Sequence, residues 1–249
     1  MIYVYGVLRR GRRADVAAAG VEQAPVRGVE HGDLLALVSD LDGTVLAAAR
    51  EVRAHWAVLD EVARSVTVLP VRFGTVLEND DAVRASLLEP NAERIAELLE
   101  VLDGRVQLNV RAHYDEDRLL ADIVRASPTV ASMRDRIKRL PEQAAYYQRI
   151  QLGEAVAGEV ARRREADASL ALEALEPHAV ASLVEEPRGS DGAFALAFLV
   201  ERGAVDAFGA AVARFREQAG DRLRIRFIGP LPPYGFTDDE LRAGSPAWA

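Results

Sequence analysis

Residues 105–113, Arg-Val-Gln-Leu-Asn-Val-Arg-Ala-His, put Val106, Leu108, Val110 and Ala112 on one face and Arg105, Gln107, Asn109, Arg111 and His113 on the other. A period of two marks a strand with one apolar and one polar face. Asp103-Gly104 closes a helical stretch just before it, so the element types start afresh and a domain boundary is placed at residue 103. Downstream, residues 115–125 read as a helix with Leu119, Leu120 and Ile123 inward. Ser127-Pro128 restarts the helical phase with a capping serine and a first-turn proline. Between Pro141 and Pro177 nothing breaks the pattern, which predicts a helix at about 142–176, a rod of roughly 50 Å that projects or bridges. Residues 179–184 and 193–201 then read as a hairpin around Pro187-Arg188-Gly189-Ser190-Asp191-Gly192, followed by an amphipathic helix over 205–219 stopped by Gly220. In the last strand Leu223, Ile225 and Phe227 alternate with Arg222, Arg224 and Arg226. The order β-α-β-β-α-β over residues 104–236 is the ferredoxin-like arrangement, here with a long helical insertion, and residues 237–249 are left as a tail.

Residues 1–103 read as a looser α+β sandwich, so the whole chain is assigned to the α+β class with two domains. Residues 2–8 are aromatic and β-branched and predict a first strand. Residues 26–29 and 34–38 flank Glu30-His31-Gly32-Asp33 and predict a hairpin with a four-residue turn. From Thr44, taken as N-cap, to about Arg64 the apolar residues Val45, Ala48, Val52, Trp56, Leu59 and Val62 recur at helical spacing and define an expected buried face. Pro70 within the run 66–71 argues for an edge or the end of a strand. Asn79-Asp80-Asp81 opens another helical stretch, broken near Pro90 and running to Leu102.

The composition removes whole classes of function. With 49% hydrophobic and 28% charged residues in 249, the chain has the make-up of a folding globular protein rather than a disordered one. A net charge of -8 disfavours a globally basic binder of nucleic acid or anionic membrane. The absence of cysteine removes disulfides, thiol catalysis, zinc–thiolate sites and iron–sulfur clusters, and suits a reducing cytoplasm. No signal-peptide pattern follows Met1 and no apolar run approaches the ~20 residues of a membrane span. Of 31 basic residues only Lys138 is lysine, a genome-wide bias that inflates any apparent arginine signal.

Among local motifs, the apolar strand leading into Asp40-Leu41-Asp42-Gly43-Thr44 resembles the first motif of haloacid-dehalogenase phosphatases. That resemblance implies Asp40 as nucleophile, Asp42 as acid/base and Mg²⁺ to offset phosphate charge, and it stands as the alternative reading. The partners such chemistry needs are poorly placed, because Lys138 lies beyond the domain boundary and Asp80-Asp81 start a helix. The competing reading is a strand-to-helix loop whose acids and threonine cap the next helix. Arg105, Arg111, Arg222, Arg224 and Arg226 on an open sheet face raise RNA binding, but the strands lack the aromatic residues on which bases stack. His31, His55, His113 and His178 show no zinc-ligand spacing, and no phosphate-binding glycine loop is present. No cofactor, metal or catalytic residue is assigned.

Three further segments carry a resemblance. Tyr3-Val4-Tyr5-Gly6 opens the chain, His55 on a helix precedes Leu69-Pro70-Val71-Arg72-Phe73-Gly74-Thr75, and Gly229-Pro230-Leu231-Pro232-Pro233-Tyr234-Gly235-Phe236 follows the last strand as a stiff, aromatic-tipped extension. In this order and spacing they resemble the gas vesicle protein F/L family over nearly the whole chain. Trp56, where an acidic residue is common, and Gln107 are departures. The resemblance implies a two-domain α+β accessory or minor structural protein of gas vesicle formation rather than an enzyme, cytoplasmic and vesicle-associated. It implies as partners the hydrophobic shell subunit and other gas vesicle accessory proteins, with no nucleic acid or lipid membrane. The motif positions expected to serve structure or partner contact are Tyr3, Tyr5, Gly6, His55, Pro70, Arg72, Phe73, Gly74, Gly229, Pro230, Pro232, Pro233, Tyr234 and Phe236. The long helix, the uncovered strand edges and the aromatic tail are the expected contact surfaces.

Overall fold

The computed structural model describes residues 1–11, 16–42, 48–141 and 145–237. The fold is α+β, with two antiparallel sheets and helices packed on them. The described residues divide into two compact units, one made of those within 1–107 and 229–237, the other of those within 108–228.

In the first unit β1 (Ile2–Arg9) lies between β3 (Leu34–Asp40) and β4 (Leu69–Pro70), with β2 (Arg27–His31) outside β3 and β5 (Val76–Leu77) also paired to β1. The apolar run of β1 is buried on both faces, which its continuous rather than alternating apolar character matches. Pro70 sits in a two-residue edge strand, where the amide it lacks breaks no ladder. The β2–β3 ladder continues to His31 opposite Leu34, which leaves a two-residue turn at Gly32-Asp33 and shortens the expected four-residue one. The first helix, α1 (Ala49–Ala63), begins after Ala48, so the cap expected at Thr44 is replaced; Thr44 and Val45 lie outside the described residues. Its buried face is also rotated from the apolar reading. Glu51, His55, Val58, Leu59 and Val62 point inward, while Trp56 is 39% exposed. Asn79 caps the short α2 (Asp80–Ala82) by accepting from the Ala82 N–H, a π-helical turn over Val83–Leu88 follows, and α3 (Ala92–Val101) resumes after Pro90.

The second sheet runs β7 (Ala181–Glu185), β8 (Gly192–Glu201), β6 (Arg105–Tyr114), β9 (Leu223–Leu231). Asp115 caps α4 (Glu116–Ala126) and Ser127 caps α5 (Pro128–Ile137) through side-chain oxygens, as their sequence positions indicate. The long helix α6 (Tyr146–Leu175) does not stand free, because it packs against α4, α5, β8 and α7 (Val205–Ala219). Residues 142–144, at the start of the expected span, lie outside the described residues. The core of this unit is phenylalanine-rich: Phe198 meets Phe208 at 5.1 Å, Phe208 meets Phe227 at 6.0 Å, and Phe194 meets Phe215 at 6.3 Å.

Two further expectations change. Gln107 and Asn109, on the polar face that the sequence leaves open to solvent or a partner, are 4% and 7% exposed, so β6 is covered on both faces along its first half. The segment from Gly229, which the sequence reading keeps with the second domain as an extension, continues β9 and belongs to the first unit. There Pro232 and Pro233 are buried and residues Tyr234–Phe236 form a 3₁₀ turn. The backbone N–H of Gly235 donates to Gln107 Oε1 at 2.6 Å, which satisfies a buried amide and holds the segment down. Residues beyond Thr237 lie outside the described ones.

Candidate functional site

The first unit gathers residues from three distant parts of the sequence into one aromatic cluster. Tyr3 and Tyr5 are both fully buried and their rings lie 4.9 Å apart. His55, from α1, stacks on Tyr5 at 5.7 Å and meets Tyr3 edge-on at 5.7 Å. Phe73 closes the cluster against Tyr3 at 6.1 Å and His55 at 5.6 Å. Next to His55, Trp56 packs against Tyr234 with centroids 4.3 Å apart. Offset and edge-to-face arrangements of this kind add to the gain from burial.

Every polar tip in the centre of the cluster finds a partner. The Tyr3 hydroxyl accepts from the Gly74 N–H at 3.1 Å and shares a hydrogen bond with His55 Nδ1 at 2.9 Å. The Tyr5 hydroxyl accepts from the Val21 N–H at 2.8 Å and donates to Ser39 Oγ at 2.9 Å, which donates to the Pro25 carbonyl at 3.0 Å. Burial pushes the His55 imidazolium down to about 4 despite a hydrogen bond with the Val71 backbone, so the ring is neutral at pH 7. Burial raises both tyrosines, which therefore keep their protons. Glu51, one helical turn before His55, is buried and accepts from the Glu22 N–H at 2.7 Å and from Arg50 Nε at 2.7 Å; the backbone bond is the larger cause of its lowered pKa.

The small residues of these motifs are fixed by close approach. A β-carbon on Gly6 would come within 2.7 Å of the Leu69 carbonyl oxygen and 2.9 Å of Leu59 Cδ2. Gly6 pairs with Pro70 across β1 and β4, and the register against β3 slips between Val4 and Gly6, a bulge that leaves Tyr5 as the extra residue. Gly20 lies so close to the Tyr5 hydroxyl that any side chain would displace it. Gly20, Ser39 and Glu51 belong to no motif; the sequence signal at Ser39 is a lone hydroxyl in an apolar strand. Arg72 is exposed, and its carbonyl accepts from the Thr75 hydroxyl at 2.8 Å to close the turn after β4. Gly229-Pro230 is a cis peptide, and Phe236 is half-buried.

The alternative sites are arranged differently. Asp40 accepts from Arg27 Nε at 2.7 Å and Nη2 at 2.8 Å, and the same guanidinium bonds Asp80 at 2.7 and 3.0 Å, which lowers the Asp40 pKa. Both carboxylates therefore serve an exposed structural pair on an antiparallel sheet, unlike the parallel strand–helix units of the phosphatase fold. Asp42 is exposed, and Gly43 and Thr44 lie outside the described residues. Among the described residues no group of three or more His, Asp or Glu side chains could hold a metal ion. Four of the five arginines raised for RNA binding have local partners: Arg105 donates to the Val101 carbonyl at 2.6 Å, Arg111 meets Glu185 at 3.7 Å, Arg222 meets Asp167 at 3.0 Å, and Arg224 donates to the Tyr114 carbonyl at 2.9 Å. No described helix is long and apolar enough to cross a membrane.

Comparison with known proteins agrees across the chain. The family described as gas vesicle synthesis protein GvpL/GvpF matches residues 1–238. Gas vesicle protein F of Streptomyces sp. (strain CB03234) is 36% identical over 241 residues, covering 95% of this chain and 99% of its own. Gas vesicle protein F of Dolichospermum flosaquae is 23% identical over 238 residues, 94% of this chain and 96% of its own. The crystal structure of GvpF from Microcystis aeruginosa has a TM-score of 0.80 at 25% identity, covering 95% of this chain and 98% of that one. GvpF from Anabaena sp. PCC7120 gives the same TM-score at 24% identity, with 95% of each chain covered. A match that runs through both units, with a relative at this identity over nearly its full length, shows that the chain belongs to the gas vesicle synthesis protein GvpL/GvpF family.

Proposed function

We propose that this protein is an accessory or minor structural protein of gas vesicle formation, acting in the cytoplasm and at the vesicle by binding the hydrophobic shell subunit and assisting assembly of the wall. The observation that carries the reading is the family match over residues 1–238. The motif side chains support a role through contact rather than catalysis: Tyr3, Tyr5 and His55 are buried and hydrogen-bonded to one another or to their surroundings, which suits a scaffold. In the same reading the second unit is a ferredoxin-like module, which the strand order β7-β8-β6-β9 and its helix placement support. A shell subunit exposes apolar surface before it polymerises, and a soluble partner that covers this surface delays misassembly.

Two surfaces of the second unit fit such a partner. The N-terminal turn of α6 exposes Tyr146, Tyr147 and Ile150, and the edge strand β7 exposes Val184 to 67%. The aromatic segment around Tyr234 fits less well than the sequence implied, since it is folded into the first unit. The test is co-expression with the main shell subunit followed by size-exclusion chromatography of the soluble fraction. Co-elution is expected, and it should weaken when Tyr146 and Tyr147 are both changed to serine. A shell subunit that precipitates equally with and without this protein overturns the shell-binding reading.

A further inference from the structure

The second unit holds a cavity of about 360 Å³ that neither the family motifs nor the proposed role uses. Its walls carry Arg118 and Arg125 from α4, Arg163 from α6 and Arg222 ahead of β9, against only Asp122 and Asp167. In a chain of net charge -8 such a concentration of cations is local, and three of the four are already held. Arg125 pairs with Asp122 at 3.0 Å, Arg118 with Asp221 at 3.3 Å, and Arg222 with Asp167 at 3.0 Å.

Arg163 is different. One turn away on α6, Glu159 is engaged by Arg162, and Asp167 on the other side accepts from both Arg222 and the Tyr114 hydroxyl, the latter at 2.8 Å. Among the described residues Arg163 therefore lines the cavity half-buried with no hydrogen-bond or ion-pair partner. A guanidinium removed from much of its water without a counter-charge is costly, and an anion in the cavity removes that cost.

We propose that this cavity binds a small molecule bearing a phosphate group, with the phosphate facing Arg163 and its neighbours. Guanidinium groups arriving from three elements suit a tetrahedral oxyanion contacted on several sides better than a planar carboxylate held by one fork. The volume exceeds that of a bare phosphate and falls in the range of small-ligand sites, with Leu119 and Ala121 as the apolar part of the wall.

The experiment is calorimetric titration of the full chain with pyrophosphate, and with succinate at matched ionic strength. Saturable binding of pyrophosphate is expected, at least about tenfold tighter than succinate. Arg163→Gln should weaken it at least about tenfold while leaving the unliganded melting temperature no lower, because Arg163 gives up no partner in the fold and an uncompensated guanidinium is removed. Arg216→Gln, outside the cavity lining, should bind as the unaltered chain does. Absence of saturable binding, an Arg163→Gln protein that binds equally well, or an equal loss in Arg216→Gln overturns the site. Succinate binding as tightly as pyrophosphate overturns the phosphate assignment.

Discussion

The two units solve the same problem, filling the space between a sheet and its helices, with different chemistry. The second packs phenylalanine on phenylalanine, Phe198 on Phe208 and Phe208 on Phe227, with no polar atom to satisfy at those contacts. The first places two tyrosines, a histidine and a serine in its centre, and each finds a hydrogen-bond partner. An apolar core tolerates rearrangement, because dispersion and burial have little direction. A buried polar network does not, since a donor displaced by an ångström becomes an unsatisfied group. The first unit is thus specified more narrowly, and the family motifs of the sequence fall on it.

That contrast can be tested by substitutions of graded effect. The largest loss is expected in the apolar core, where Phe198→Ala should cost about 4 kcal/mol through lost burial and the cavity left behind, read by denaturant unfolding. Acid should then separate the units. His55 moves from 6.5 to about 4 in the fold, so the folded protein binds fewer protons than the unfolded chain between those values. Stability is complete above the unfolded value and declines as pH falls towards the folded one, by about 3 kcal/mol from this group. Comparing unfolding at pH 7 and 4.5 with that of His55→Gln isolates the contribution, because other carboxylates titrate in both proteins. Equal acid sensitivity of the two would mean that His55 is not buried neutral.

Tyr3→Phe keeps the ring but strands His55 Nδ1 and the Gly74 N–H, and should cost about 2 kcal/mol. A cost near zero would show the network to be incidental and the contrast between the units to be one of shape alone. The smallest effect belongs to the surface: Asp40→Asn breaks an exposed pair with Arg27 and should cost at most about 1 kcal/mol. The same variant measured with an aryl phosphate should show no change in phosphate release, since Asp40 is read as a pairing group.

How much could be read in advance follows the same division. Asp115 and Ser127 cap the helices that their sequence neighbourhoods announce, and Gly220 stops α7, because a cap is a local bond between residues three or four apart. The apolar alternation of β6 locates a strand for the same reason. The polar half of that pattern misled: Gln107 is buried because a segment 128 residues away brings the Gly235 N–H to it. Likewise the apolar stripe of α1 pointed to Trp56, whereas Glu51 and His55 are the residues inside.

The sequence by itself determined the order of the main strands and helices, the caps at Asp115 and Ser127, and the family, since these rest on local periodicity and on residues named in a fixed order. Only the tertiary structure decided which polar groups enter the core, that Tyr3, Tyr5, His55 and Phe73 share one cluster, and that residues 229–237 return to the first unit. The physical reason is that burying a polar side chain is favourable only when a partner is already in place, and here the partners come from distant parts of the sequence.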